Sequence, residues 1–196
     1  FIASVIGGIG INTGALVGGP IVGLISAFAA YKIGGEFETA TLVLDRPLAG
    51  TRASLRIAWK GALRADLRGL YLARSGKRRY AATQLEAADA RRFFPCFDEP
   101  DKKARFALRV TTPTRNQVVS NGAIAGVSTR GRNKTVRFAE TPKLSTYLIA
   151  LVVGELESSR AVRVGSTPIR VWCVPGKKKR AGFALEVAAE ALRRLE

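Results

Sequence analysis

At 196 residues the chain is long enough for one domain with a real core, and its 47% hydrophobic and 24% charged fractions exclude wholesale disorder. It holds no histidine, which excludes a Ser-His mechanism and a His-ligated metal centre within these residues. Thirty-two Lys and Arg against fifteen Asp and Glu leave a net charge of +17. A field of that sign attracts nucleic acid, anionic lipid or acidic partners, but the arginines are spread from Arg46 to Arg194 rather than gathered in a recognition module.

Residues 1–31 carry no charge, and at 1.5 Å per residue a helix of that length could cross a hydrocarbon core of about 30 Å. Gly10, Gly14 and Gly18 recur four apart, a spacing suited to close helix packing in lipid, while Pro20 would kink such a helix. Ala27-Phe28-Ala29 resembles a signal cleavage site, without the basic region that should precede it. A membrane span, a signal-like segment and an appended artefact all stand as readings of this stretch.

From Gly34-Gly35 the pattern changes to period two. Ala40, Leu42 and Leu44, then Ala53, Leu55, Ile57 and Trp59, predict strands with one wet face, separated by a turn at Asp45–Gly50. A basic turn follows at Ser75–Arg79. Thr83 to Pro100 then mixes carboxylates, arginines, aromatics, a cysteine and two prolines in eighteen residues, which predicts a loop that shapes a site.

Beyond Pro100, Phe106, Leu108 and Val110 alternate with Arg105, Ala107 and Arg109. Val118-Val119 runs into a turn at Ser120-Asn121-Gly122, and Lys134–Ala139 should pair with the strand before it across Arg130–Asn133. Tyr147–Val153 reads as a strand buried on both faces, and Ile169–Val174 as the last strand. Ala184, Val187, Ala188, Ala191, Leu192 and Leu195 mark an amphipathic helix after the basic turn at Gly176–Arg180. The fold class is therefore mainly β, an antiparallel saddle- or sandwich-like domain, with an uncharged and potentially helical segment before it and a helix after it. Three regions follow: the uncharged Gly-rich segment 1–35, the β-domain 36–176, and the helical start 177–196.

TQLEAADARRFFPCFDEP at 83–100 resembles the signature of the N-terminal β-domain of the gluzincin zinc aminopeptidases, the group of aminopeptidase N and puromycin-sensitive aminopeptidase. LRGLY at 67–71, NKTVRFAETPKLSTYLIALVVGELE at 133–157 and PGKKKRAGFALEVAAEAL at 175–192 resemble the same family in the same order, so the likeness covers about 36–196. It implies a saddle-shaped domain set against a thermolysin-like catalytic domain, with the 83–100 loop reaching into the cleft. By resemblance, Glu86 binds the free α-amine of a peptide and Gln84 lines the pocket for the first side chain. A fixed carboxylate is what a desolvated ammonium requires.

The family's Gly-x-Met-Glu-Asn and His-Glu-x-x-His motifs do not occur in the 196 residues, so zinc is implied only for a full-length protein and the chain is expected to be inactive alone. Peptide N-termini are the implied partners, with membrane contact through 1–31 as an addition and nucleic acid disfavoured. The binding-class alternative is a membrane-tethered basic β-module that recruits an acidic partner or anionic lipid. Cys96 and Cys173 lack paired spacing, which suits free thiols in the cytoplasm, with membrane association if 1–31 spans. Around the loop, Arg91 and Arg92 should pair with Asp89, Asp98 and Glu99, while Phe93, Phe94, Pro95 and Phe97 should anchor it in the core.

Overall fold

The computed structural model describes residues 24–26 and 54–195. Leu24–Ser26 (β1) pairs in parallel with Ser54–Arg56 (β2). The rest of the uncharged segment, and the strand expected at Ala40–Leu44, lie outside the described residues. Among the described residues no helix is long and apolar enough to cross a membrane.

Two antiparallel sheets build the domain. Gly69–Ser75 (β3) and Arg78–Gln84 (β4) form a hairpin closed by Gly76-Lys77. Arg109–Pro113 (β5), Gln117–Ser120 (β6), Ile124–Arg130 (β7), Asn133–Phe138 (β8) and Leu151–Gly154 (β9) follow. The order β3-β4-β9-β6 makes one sheet and β5-β8-β7 the other. Glu157–Ser158 (β10) with Trp172–Cys173 (β13), and Val162–Val164 (β11) with Thr167–Ile169 (β12), add two short antiparallel pairs.

Phe106, Leu108 and Val110 are buried as their alternation requires, and they meet Val136 and Phe138 from β8 and Val118, Leu151 and Val153 from the larger sheet. The β7–β8 hairpin forms across Arg130–Asn133 as the spacing predicts. Burial of this apolar set, at about 25 cal/mol per Å² removed from water, is the main force holding the two sheets together.

Three local expectations differ from what forms. The basic stretch 75–79 is not all turn, because Arg78 already pairs with Ser75 and opens β4. The apolar run at 147–153 is strand only at residues 151–153, the start of β9. Its front end, Thr146–Leu148, is a 3-10 turn, held where the Ser145 hydroxyl donates to Pro100 O and the Thr146 hydroxyl to Asp98 Oδ1. The last predicted strand is divided between β12 and β13.

The C-terminal helix, Ala181–Leu195 (α1), packs on the β11–β12 hairpin. Ala181 and Ala189 are its buried residues, and the expected stripe is split: Ala188 and Leu192 are half-buried, while Ala184, Val187, Ala191 and Leu195 are exposed.

Two glycines are required by close approach. A Cβ on Gly154 would lie 2.2 Å from Cδ1 of the buried Tyr80 ring, so β9 can sit against β4 only without a side chain there. Gly69 has φ +66°, and a Cβ on it would lie 2.6 Å from Cβ of Arg92. The 83–100 loop therefore folds back over the start of β3.

Candidate functional site

β4 ends at Gln84, opposite Gly69 of β3, and the chain then leaves the sheet as a run of turns. Leu85 is 2% exposed and plugs the core, while Gln84 and Glu86 on either side of it are exposed. The apolar side chain between them thus fixes where both polar head groups emerge. Among the described residues nothing hydrogen-bonds or ion-pairs with the Glu86 carboxylate, so its acceptor oxygens are open to a ligand.

The mount behind these two residues is rigid. Asp89 N donates to Leu85 O (2.9 Å), and the N–H groups of Phe93 and Phe94 both donate to Ala90 O, closing a short 3-10 turn at Ala90–Arg92. Ala90 is wholly buried, and the Trp59 indole N–H donates to Phe93 O at 3.1 Å. Phe93 and Phe94 pack edge to face at 5.2 Å, and Phe94 meets Phe106 of the main core at 6.1 Å. Edge-to-face pairs of this kind add specific geometry to plain burial.

Two buried carboxylates tie the loop at its ends. Asp89 accepts from Arg68 Nε (2.9 Å) and forms an ion pair with Arg92 (2.9 Å), whose guanidinium also approaches Asp66 at 3.8 Å. Asp98 Oδ2 accepts from both the backbone N–H and Nε of Arg91, at 3.1 and 3.0 Å, and Oδ1 accepts from Thr146. Asp98 thus bridges the loop to the turn that precedes β9. The two arginines expected to build an ion network do so, with Asp89 and Asp98.

Other expectations for the loop change. Phe93 and Phe94 are core anchors, but Phe97 is 55% exposed and Pro95 is also exposed, because the chain between Phe94 and Asp98 turns outward before the Asp98 bonds pull it back. Cys96 is half-buried, and burial pushes its thiol up to about 12, with Asp98 adding to the shift, which favours the neutral thiol at ordinary pH. Arg68, Thr146 and Trp59 escape sequence reasoning because their partners lie 21, 48 and 34 residues away. The LRGLY stretch at 67–71 flags the neighbourhood of Arg68 and Gly69 but not what either touches.

Chemically, the loop presents one carboxylate and one carboxamide on a stiff support, which suits the capture of a cation with hydrogen-bond donors. It does not suit metal binding. Among the described residues no three Cys, Asp or Glu side chains gather in a group able to hold an ion, and the sequence supplies no histidine.

The peptidase M1 N-terminal domain family matches residues 31–148. Aminopeptidase M1-A of Oryza sativa subsp. japonica is 40% identical over 161 residues, which is 80% of this chain and 18% of the rice protein. Alanine/arginine aminopeptidase of Saccharomyces cerevisiae is 39% identical over 155 residues, 75% of this chain and 18% of its own length. Aminopeptidase N of Acetobacter pasteurianus is 38% identical over 161 residues, covering 79% of this chain and 45% of the bacterial protein. The chain thus spans about a fifth of the length of the rice and yeast relatives.

Proposed function

Since the chain belongs to the peptidase M1 N-terminal domain family, we propose that it is the substrate-positioning domain of a zinc metalloaminopeptidase that removes N-terminal residues from peptides. Residues 36–176 form the β-domain in this reading, and 177–196 open a helix leading towards the catalytic part. Glu86 anchors the free α-amine and Gln84 lines the pocket for the first side chain. The observation that carries the assignment is the pair of exposed polar residues flanking the buried plug Leu85, on a loop tied down through Asp89 and Asp98.

The reasoning is electrostatic. An ammonium leaving water needs a carboxylate that does not have to reorganise, and a charge-assisted bond of this kind contributes about 1.5–3 kcal/mol. Fixing the amine also fixes the distance to the first peptide bond, which confines cleavage to the terminal residue. In this reading the zinc that would polarise that bond is held by the catalytic part, since the sequence has no histidine and among the described residues no three Cys, Asp or Glu side chains gather in a group able to hold an ion.

The test is a graft. The aligned segment of the rice aminopeptidase is replaced by this chain, and hydrolysis of an aminoacyl anilide is measured. Retained activity supports the proposal. A folded but inactive chimaera, or one that cleaves an N-acetylated substrate equally well, overturns it.

A further inference from the structure

We propose that the cavity at the tip of the β3–β4 hairpin is a binding site for a small ligand that carries two or more clustered phosphate groups. This cavity, of about 680 Å³, is lined by Lys77, Arg78 and Arg79 from the hairpin, Arg115 and Asn116 from the β5–β6 turn, and Glu155 just after β9. Four cations face one carboxylate, so the site holds an excess of three positive charges.

The arginines are arranged rather than merely numerous. Glu155 takes one guanidinium on each oxygen: Arg78 Nε lies 3.3 Å from Oε2 and Arg115 Nε 3.3 Å from Oε1. The carboxylate therefore brings together two cations from turns that are distant in sequence. Among the described residues no hydrogen bond reaches the terminal nitrogens of either fork. Those donors are the ones that recognise phosphate bidentately. No carboxylate among the described residues lies within ion-pair distance of Lys77 or Arg79.

Size and lining narrow the ligand class. The volume lies within the range of roughly 300–1,000 Å³ seen for small-molecule sites, which exceeds the needs of a single phosphate ion. An excess of three charges matches two phosphate groups better than one. Among the described residues no aromatic side chain lines the cavity, so they offer no platform on which a nucleobase could stack.

Calorimetric titration of the chain with inorganic pyrophosphate at about 0.1 M salt tests the proposal. Two double variants change net charge equally: Arg78→Glu with Arg115→Glu in the cavity, and Arg193→Glu with Arg194→Glu on α1. The expected result is saturable binding, weakened roughly tenfold or more, about 1.4 kcal/mol, by the cavity pair and less than about twofold by the helix pair. Far-UV circular dichroism establishes that each variant is folded.

Flotation with phosphatidylcholine vesicles, with and without a bisphosphorylated phosphoinositide, distinguishes the two sources of this chemistry. Capture that pyrophosphate competes away identifies a lipid head group, and soluble binding without capture identifies a free ligand; either outcome supports the site. Equal weakening by both double variants would show a response to net charge alone and overturn the proposal, as would the absence of binding.

Discussion

Replacing Asp98 by alanine tests whether the 83–100 loop is held by its buried carboxylates. The carboxyl group is 2% exposed and receives three hydrogen bonds: from the backbone N–H of Arg91, from Arg91 Nε and from the Thr146 hydroxyl. A bond to a charged acceptor contributes about 1.5–3 kcal/mol when buried. The Arg91 side chain is 32% exposed, so its share falls towards the 0.2–1 kcal/mol of a surface pair. Allowing for water that reaches the vacated space, the three together come to about 3 kcal/mol. For a chain of this size that corresponds to a fall in Tm of roughly 6–12 °C. The assay is urea unfolding monitored by circular dichroism, with Glu86→Ala as the control. Glu86 is exposed and has no partner among the described residues, so the control should stay within about 0.5 kcal/mol of the parent. Equal stability of Asp98→Ala and Glu86→Ala would refute the division of this loop into a buried mount and an exposed head.

Three further predictions rest on packing and burial. Gly154→Ala places a methyl group against the Tyr80 ring in the central strand of the larger sheet, and overpacking of this kind costs about 1–3 kcal/mol, read as a lower urea midpoint at unchanged slope. With its thiol pushed up to about 12 against an ordinary 9.0, Cys96 holds roughly a thousandfold less thiolate at pH 8 and should alkylate slower by about that factor, measured by mass spectrometry of iodoacetamide-treated protein. The same shift sets a sign for stability. The native thiol keeps its proton where the unfolded one loses it, so its contribution is complete below about pH 9 and declines as pH rises towards 12.

What was legible in the sequence is what depends on local pattern. The alternation at Phe106–Val110 gave the buried face of that segment, the Arg130–Asn133 spacing gave the β7–β8 hairpin, and the mixed chemistry of 83–100 marked a loop rather than a strand. The features that escaped depend on long-range partners. Nothing near Thr146 indicates that its hydroxyl meets Asp98, 48 residues earlier, and that bond is part of what turns the expected strand start at Tyr147 into a 3-10 turn. Phe97 reads as an anchor because its neighbours are anchors, yet the outward turn between Phe94 and Asp98 leaves it 55% exposed. The α1 stripe shows the same limit. Periodicity identifies the helix but not which side packs, and the small residues Ala181 and Ala189 turn towards the β-hairpin while Phe183 is left 77% exposed.

The proposed role of Glu86 as the amine anchor requires the loop beneath it to hold it still. Its most direct test is kcat/KM for an aminoacyl anilide in the active chimaera, with and without Glu86→Gln, alongside the Tm of each. Loss of the charge-assisted bond, at about 1.5–3 kcal/mol, predicts a fall of roughly 10- to 150-fold in kcat/KM with Tm unchanged. A change of less than twofold, or a loss of activity accompanied by a matching fall in Tm, would contradict the account.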